Sequence, residues 1–253
     1  MLYGPKEVFI TLPAGNQLNL NCSVSRSGYN TNFKWSKRRD CGGSFSSYNR
    51  YQKSHTTIGD AGTYVCRASY NYEHVLKVYH VDIPWQSETC NFDDKSLCGW
   101  KNHGSSISWS QQYGRTQSSG SEDWNSHTLG GTSKGGYMQV DAISQRDTDT
   151  TARLRSHDFP AGLTVCFEFW YRISGEGRAI LSMILKDTCL SKETELLQIT
   201  GDECQKWNKA TVTVLQNFVP NDYNIALKAD IRRSFHGTMA IDDVKISKGH
   251  CQD

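Results

Sequence analysis

The chain is short of several things that would define a function at once. Its 28 basic residues nearly balance 26 acidic ones, leaving +2, so no field of one sign draws it to nucleic acid or anionic lipid. The basic run Lys34, Lys37, Arg38, Arg39 is interrupted by Trp35 and Ser36 and reads as a solvated strand end. No apolar run approaches the about 18 residues a membrane helix needs, so no membrane insertion is expected. The N-terminus lacks a signal-peptide pattern, and Met1 reads as an initiator placed on an excised fragment. Catalytic signatures are also missing. Eight histidines include no H-E-x-x-H, and no nucleophile–base pair is found. Gly130 to Gly136, GGTSKGG, has the glycines of a phosphate loop. Yet Lys134 precedes Gly135 and a strand-like segment follows, so it reads as a turn. Asp147-Thr148-Asp149 lacks the glycine and distal glutamate of a calcium loop. The expectation is a protein that is not an enzyme.

Cysteine, by contrast, is plentiful. Nine cysteines lie at 22, 41, 66, 90, 98, 166, 189, 204 and 251. None forms the C-x2-4-C pair of a zinc site or the C-x-x-C of a redox pair. Cysteines scattered through a strand-rich chain suit a disulfide framework made in an oxidising compartment, which points to an extracellular protein. The stretch CNFDDKSLCGW, Cys90 to Trp100, could on its face be a metal clip, a redox motif or a small disulfide loop. Asn21-Cys22-Ser23 is a glycosylation sequon.

Period-two alternation dominates the rest. Leu18, Leu20, Cys22 and Val24 share one strand face. Phe167, Phe169, Tyr171 and Ile173 share another, as do Ile225, Leu227, Ala229 and Ile231. Turn chemistry separates them at Ser27-Gly28, Gly42-Gly43, Gly130-Gly131 and Pro220-Asn221. No continuous amphipathic helix is found, and the fold class is all-β. A boundary falls near Pro84, giving domains 1–84 and 90–253 with a short linker at 85–89. So brief a linker predicts two domains packed together, with Trp85 buried between them.

Cys22, Trp35 and then Asp60-Ala61-Gly62-Thr63-Tyr64-Val65-Cys66 make the first domain resemble an immunoglobulin domain. The resemblance implies a β-sandwich with a Cys22–Cys66 bridge, Trp35 packed beside it, and Tyr64 turning its hydroxyl back to the backbone. Cys41, followed by Gly42-Gly43-Ser44, departs from the pattern on an expected surface loop.

From Cys90 onward the chain resembles the MAM domain, a jelly-roll-like sandwich of cell-surface adhesion proteins and receptors. The resemblance is carried by Cys90-Asn91-Phe92-Asp93 with Leu97-Cys98-Gly99-Trp100, by Ser108-Trp109-Ser110, and by His127-Thr128 before Gly136-Tyr137-Met138-Gln139-Val140-Asp141. It continues through Cys166-Phe167-Glu168-Phe169-Trp170-Tyr171, Trp207-Asn208, and Met239-Ala240-Ile241-Asp242-Asp243-Val244 with Cys251. It implies Cys90–Cys98 and Cys166–Cys251 bridges, so the stretch from Cys90 to Trp100 becomes a small disulfide loop. Cys189 and Cys204 form the leftover expected pair, and Cys41 remains unpaired or bridged to a second chain as a covalent homodimer. MAM domains can hold a cation by the acid after Cys-x-Phe, here Asp93. Asp242, on a face with Val244 and Ile246, would join it around Ca²⁺. The family's usual acids before the first Trp and before His-Thr are replaced by Ser105, Ser106 and Ser126. No cofactor is required on the competing reading, in which Asp93 and Asp242 accept backbone hydrogen bonds. His127 is expected to make a structural hydrogen bond.

The resemblances imply an adhesion or receptor ectodomain fragment that recognises a protein on a cell surface or in the matrix, a second copy of itself included. Receptor tyrosine phosphatases of this kind place MAM first. Glycosylphosphatidylinositol-anchored glycoproteins place immunoglobulin domains before it, usually with a fibronectin domain between. The alternatives are a secreted glycan-binding module, with Trp124 and Tyr113 as candidate sugar platforms, and the non-catalytic part of a secreted protease or receptor kinase.

Overall fold

A computed structural model describes residues 5–23, 31–37, 41, 44–69, 73–85, 87–104, 106–114, 116–117, 123–128, 135–141, 148–201 and 204–252. At 116–117, 123–124 and 204–205 only the backbone is described. The fold class is all-β, as the alternation predicts. Apart from strands there is one 3₁₀ turn, Ile58–Asp60, among the described residues.

The N-terminal unit packs two small sheets face to face. One runs in the order Lys6–Thr11, Glu73–Asp82, Gly62–Ser69, Asn32–Lys37, its first pair parallel and the others antiparallel. The other pairs Leu18–Asn21 with Arg50–Lys53. Leu18 and Leu20 point inward while Asn19 and Asn21 are exposed, as alternation requires. Cys22 bonds to Cys66 across the sheets, and Trp35 and Tyr79 pack their rings beside this bridge, 5.8 Å apart. In the chain-entropy account a bridge 44 residues long contributes about 4 kcal/mol. Val24, Gly28, Arg38, Arg39, Gly42 and Gly43 lie outside the described residues.

The C-terminal unit is a larger sandwich. Its first sheet runs Cys204–Val214, Val165–Glu176, His236–Lys248, Gly136–Asp141, Ser110–Tyr113, with Ser87–Cys90 added alongside the end of His236–Lys248. Its second runs Glu193–Thr200, Ala179–Asp187, Tyr223–Ile231, Thr150–Phe159, Lys101–Asn102. Phe167, Phe169 and Ile173 of the first sheet meet Leu181, Met183, Leu227 and Ala229 of the second in one continuous core. Cys90–Cys98 closes the first loop, and Cys166–Cys251 ties a central strand to the chain end. The sheet begins at Ser87, so most of the expected linker 85–89 is strand rather than connector.

The first sheet carries an irregularity at its centre. Glu168 pairs with Lys245 and Trp170 with Asp242, so Asp243 and Val244 together oppose Phe169. That is a β-bulge, and Asp243 sits in it with φ 47°, a left-handed conformation unusual for a residue with a side chain.

Candidate functional site

Two places gather polar side chains in unusual surroundings: the seam between the sandwiches, and the bulge at Asp243.

The seam is built from strand ends. Asn32–Lys37 delivers Lys37 into the gap, where Nζ lies 3.0 Å from Asp222 Oδ2, both side chains 8% exposed. Asp222 Oδ1 accepts the Ala161 N–H, and Lys37 also donates to the Gly59 carbonyl. Lys37 is therefore no solvated strand end, contrary to the reading of the basic run. A buried pair with each charge further hydrogen-bonded is tolerated, whereas either charge alone would not be. The 3₁₀ turn carries Gly59 so close to the second unit that a Cβ there would meet Asp158 O at 2.1 Å. Ile58 from the same turn is buried in the larger core. Trp85 is 9% exposed and lies 6.3 Å from the ring of Phe159, between the units as expected.

The seam is also covalent, which corrects the expected cysteine pairing. Cys41 is bonded to Cys189 and is neither unpaired nor linked to a second chain. The expected Cys189–Cys204 pair is thereby excluded, and the side chain of Cys204 lies outside the described residues. The reason is spatial. Thr188 donates from both its N–H and hydroxyl to the Asp222 carbonyl, while Asp187 Oδ1 accepts the N–H groups of Cys189 and Leu190. These bonds fix Cys189 close to Asp222, whose carboxylate meets Lys37, only four positions before Cys41 in the chain. No local motif encodes that approach. The odd number of cysteines was the one signal in the sequence that Cys41 needed a partner outside its own domain.

At the bulge, the re-aimed Asp243 carboxylate lies 2.5 Å from His127 Nδ1 and accepts the Thr128 hydroxyl. The His127 ring stacks on Trp170 at 3.8 Å. Neighbouring Asp242 is fully buried and accepts hydrogen bonds from Ser126 Oγ, His127 N–H and Asp243 N–H. Burial, and next the charge of Asp243, push its carboxyl up to about 7, a rise those three hydrogen bonds oppose. The cluster clips residues 125–128 onto the sheet, with Trp207 Nε1 donating to Asn125 O from the other side. His127 is thus placed as a structural group.

The two expected calcium ligands, Asp93 and Asp242, each accept hydrogen bonds from the protein itself. Asp93 Oδ1 accepts the Gly136 N–H, and Asp242 is engaged by Ser126, His127 and Asp243. Among the described residues no three His, Cys, Asp or Glu side chains are grouped to hold a metal ion. Of the two sugar-platform candidates, Tyr113 is half-buried with its hydroxyl sealed from solvent, which suits packing better than stacking on a ligand. The Trp124 side chain lies outside the described residues, as do Lys134 of the glycine-rich turn and Asp147. Asn21 is exposed at the end of its strand.

Fold and site together define a disulfide-linked pair of β-sandwiches without a clustered catalytic centre among the described residues. The chain belongs to the MAM family: the profile of the MAM domain, meprin/A5/mu, matches residues 90–252. The chain is similar to MAM domain-containing glycosylphosphatidylinositol anchor protein 1 of Gallus gallus, 27% identical over 64% of this chain and 17% of that protein. The Rattus norvegicus protein of that name is 26% identical over 81% of this chain and 21% of its own length. Neuropilin-1a of Danio rerio is 24% identical over 62% and 17%. The chain spans about a fifth of the length of these curated relatives. Its four disulfides fit an oxidising, extracellular setting.

Proposed function

We propose that the chain is an extracellular protein-recognition module of the cell-adhesion kind, with an immunoglobulin-like sandwich at 1–84 held rigidly against the MAM sandwich at 90–253. Two findings support the first assignment. Tyr64 donates its hydroxyl to the Asp60 carbonyl at 2.8 Å, next to the inter-sheet Cys22–Cys66 bridge and buried Trp35, the corner such domains use. The alignment with the rat relative covers 81% of the chain, more than residues 90–252 can supply. The relatives named for a glycosylphosphatidylinositol anchor support a cell-surface setting.

The observation that carries the reading is the seam. A recognition surface spread over two domains binds more tightly when their angle is fixed beforehand, because the ordering cost is already met. Here a disulfide, a buried ion pair and Trp85 fix it. The partner is a protein on another cell or in the matrix, and a second copy of this chain is the homophilic version. The role calls for no catalysis and no cofactor, and exposed Asn21 is free to carry a glycan. The test is binding of fluorescent beads coated with the chain to cells before and after surface proteolysis. Loss of binding after proteolysis is expected, and binding that survives it overturns a protein partner. Clumping of the beads with one another would identify the homophilic version.

A further inference from the structure

A second seam feature lies away from the ion pair and the disulfide. A cavity of about 530 Å³ opens between the units. Lys53, His55, Thr57 and Asp60 line it from the N-terminal side, and Lys101, His103, Arg155 and His157 from the MAM side. Its two carboxylates are already engaged. Asp60 accepts from Lys53 Nζ, the Thr57 N–H and the Thr57 hydroxyl. Asp158 accepts from Asn224 and lies 3.5 Å from Arg155. Lys101, His55 and His103 are exposed and have no ion-pair partner among the described residues. The Nδ1 atom of His157 is buried with no hydrogen-bond partner. Lys53 and Arg155 are thus paired with the two carboxylates, which leaves Lys101 as the unpaired cation of the cleft, with exposed His55 and His103 adding donors.

From this arrangement we infer that the cleft between the sandwiches binds an anionic oligosaccharide, a sulfated glycan chain laid across the seam. The lining argues for that class. Every side chain lining the cleft is polar, the glycines Gly59 and Gly99 apart, so a peptide would find no apolar anchor of the kind that carries most protein interfaces. No aromatic ring other than the imidazoles lines it, so a neutral sugar would find no indole or phenol face. Sulfate and carboxylate groups match the lysine, arginine and imidazole donors, and such charge-assisted bonds are the strong ones. The volume lies in the range of ordinary ligand sites. The cleft needs both units, which distinguishes it from the Tyr113 and Trp124 positions and from anything an isolated MAM domain could offer. This inference is independent of the protein partner.

The experiment measures binding of a heparin-derived octasaccharide to the whole chain at physiological salt. The double substitution Lys101→Ala with His103→Ala removes two exposed, unpaired groups, and unchanged melting will verify its fold. It is expected to weaken binding by about tenfold or more, the loss of one or two charge-assisted bonds. Lys6→Ala, exposed on a strand outside the cleft, is expected to leave affinity within about twofold. Desulfated octasaccharide and poly-glutamate should fail to compete. Absence of octasaccharide binding, equal loss in both variants, or equal competition by the desulfated sugar or by poly-glutamate would each overturn the assignment.

Discussion

The two sandwiches reach stability by different routes. The MAM unit fills its interior with Phe92, Phe159, Phe167, Phe169, Met183, Leu227 and Ile241 in one large cluster, and its surface carries ion pairs such as Arg232 with Asp149. The N-terminal unit encloses a much smaller core around Leu18, Leu20, Trp35 and Tyr79, too little apolar surface to be generous at this size. It makes up the difference with a cross-sheet disulfide and by leaning on its neighbour. Ile58 is buried in the other core, Lys37 is neutralised by Asp222, and Cys41 is bonded to Cys189. The lesson is that a domain boundary drawn from sequence marks where the motifs change, not where the energetics separate.

Cutting the Cys41–Cys189 bond should split this dependence open. Closing a loop of 148 residues is worth at most about 5 kcal/mol in the chain-entropy account. Calorimetry of the Cys41→Ser, Cys189→Ser double variant is expected to show the N-terminal sandwich melting ahead of the MAM unit. One undivided transition at the wild-type temperature would mean that the bridge carries no load. The pairing itself is checked by non-reducing peptide mapping, which should join the Cys41 and Cys189 peptides.

Next in size is Asp222→Ala, which strands the Lys37 ammonium in a buried site and removes the acceptor for Ala161 N–H. Breaking such a pair from one side costs about 3 to 5 kcal/mol. Replacing both, as Lys37→Met with Asp222→Leu, should recover most of that loss. If chemical denaturation finds the single and double variants equally unstable, charge burial is not the cause. Trp85→Ala follows at about 3 kcal/mol, the lower end for an indole, because its Nε1 has no hydrogen bond to lose. Small-angle scattering of this variant should broaden the distribution of domain angles, while the wild type should fit one angle.

Much of this was legible in the sequence, for identifiable reasons. Strand periodicity is local, so Leu18–Asn21 and Tyr223–Ile231 could be read directly, and Trp85 stood out because neither sandwich had an obvious place for it. The Tyr64 hydrogen bond and the pairings of Cys22, Cys90 and Cys166 came with the family resemblances. What escaped is what depends on two distant segments meeting. Lys37 looked solvated because its carboxylate lies 185 positions away, and Cys41 looked spare because Cys189 belongs to another domain. The His127–Asp243 contact needed the bulge, which no alternation pattern reveals. Asp93 and Asp242 were visible as unusual acids, but whether a carboxylate meets a metal or an N–H is decided by backbone geometry.

The smallest effect concerns Glu88 and His157, which meet at the foot of the seam. Strand Ser87–Cys90 sets Glu88 within 3.1 Å of His157 Nε2. Burial raises the Glu88 carboxyl to about 7. Burial also lowers the His157 imidazole, against the pull of Asp158 and Asp60. Both shifts favour an uncharged pair, joined by one shared proton. For Glu88 the folded value lies above the unfolded one, so its contribution is complete below about 4.5 and is lost as pH rises through about 7. His157 has the opposite sign, losing its contribution as pH falls below its ordinary range. Glu88→Gln removes only the first effect. The melting temperature of this variant relative to wild type should therefore climb between pH 4.5 and 7 and level off above. The carboxylate keeps partial access to water, so the gain should stay below about 1 kcal/mol. A difference that stays flat across that range would show Glu88 to be ionised in the folded protein, and the foot of the seam would then be held by a charged pair like the one at Lys37.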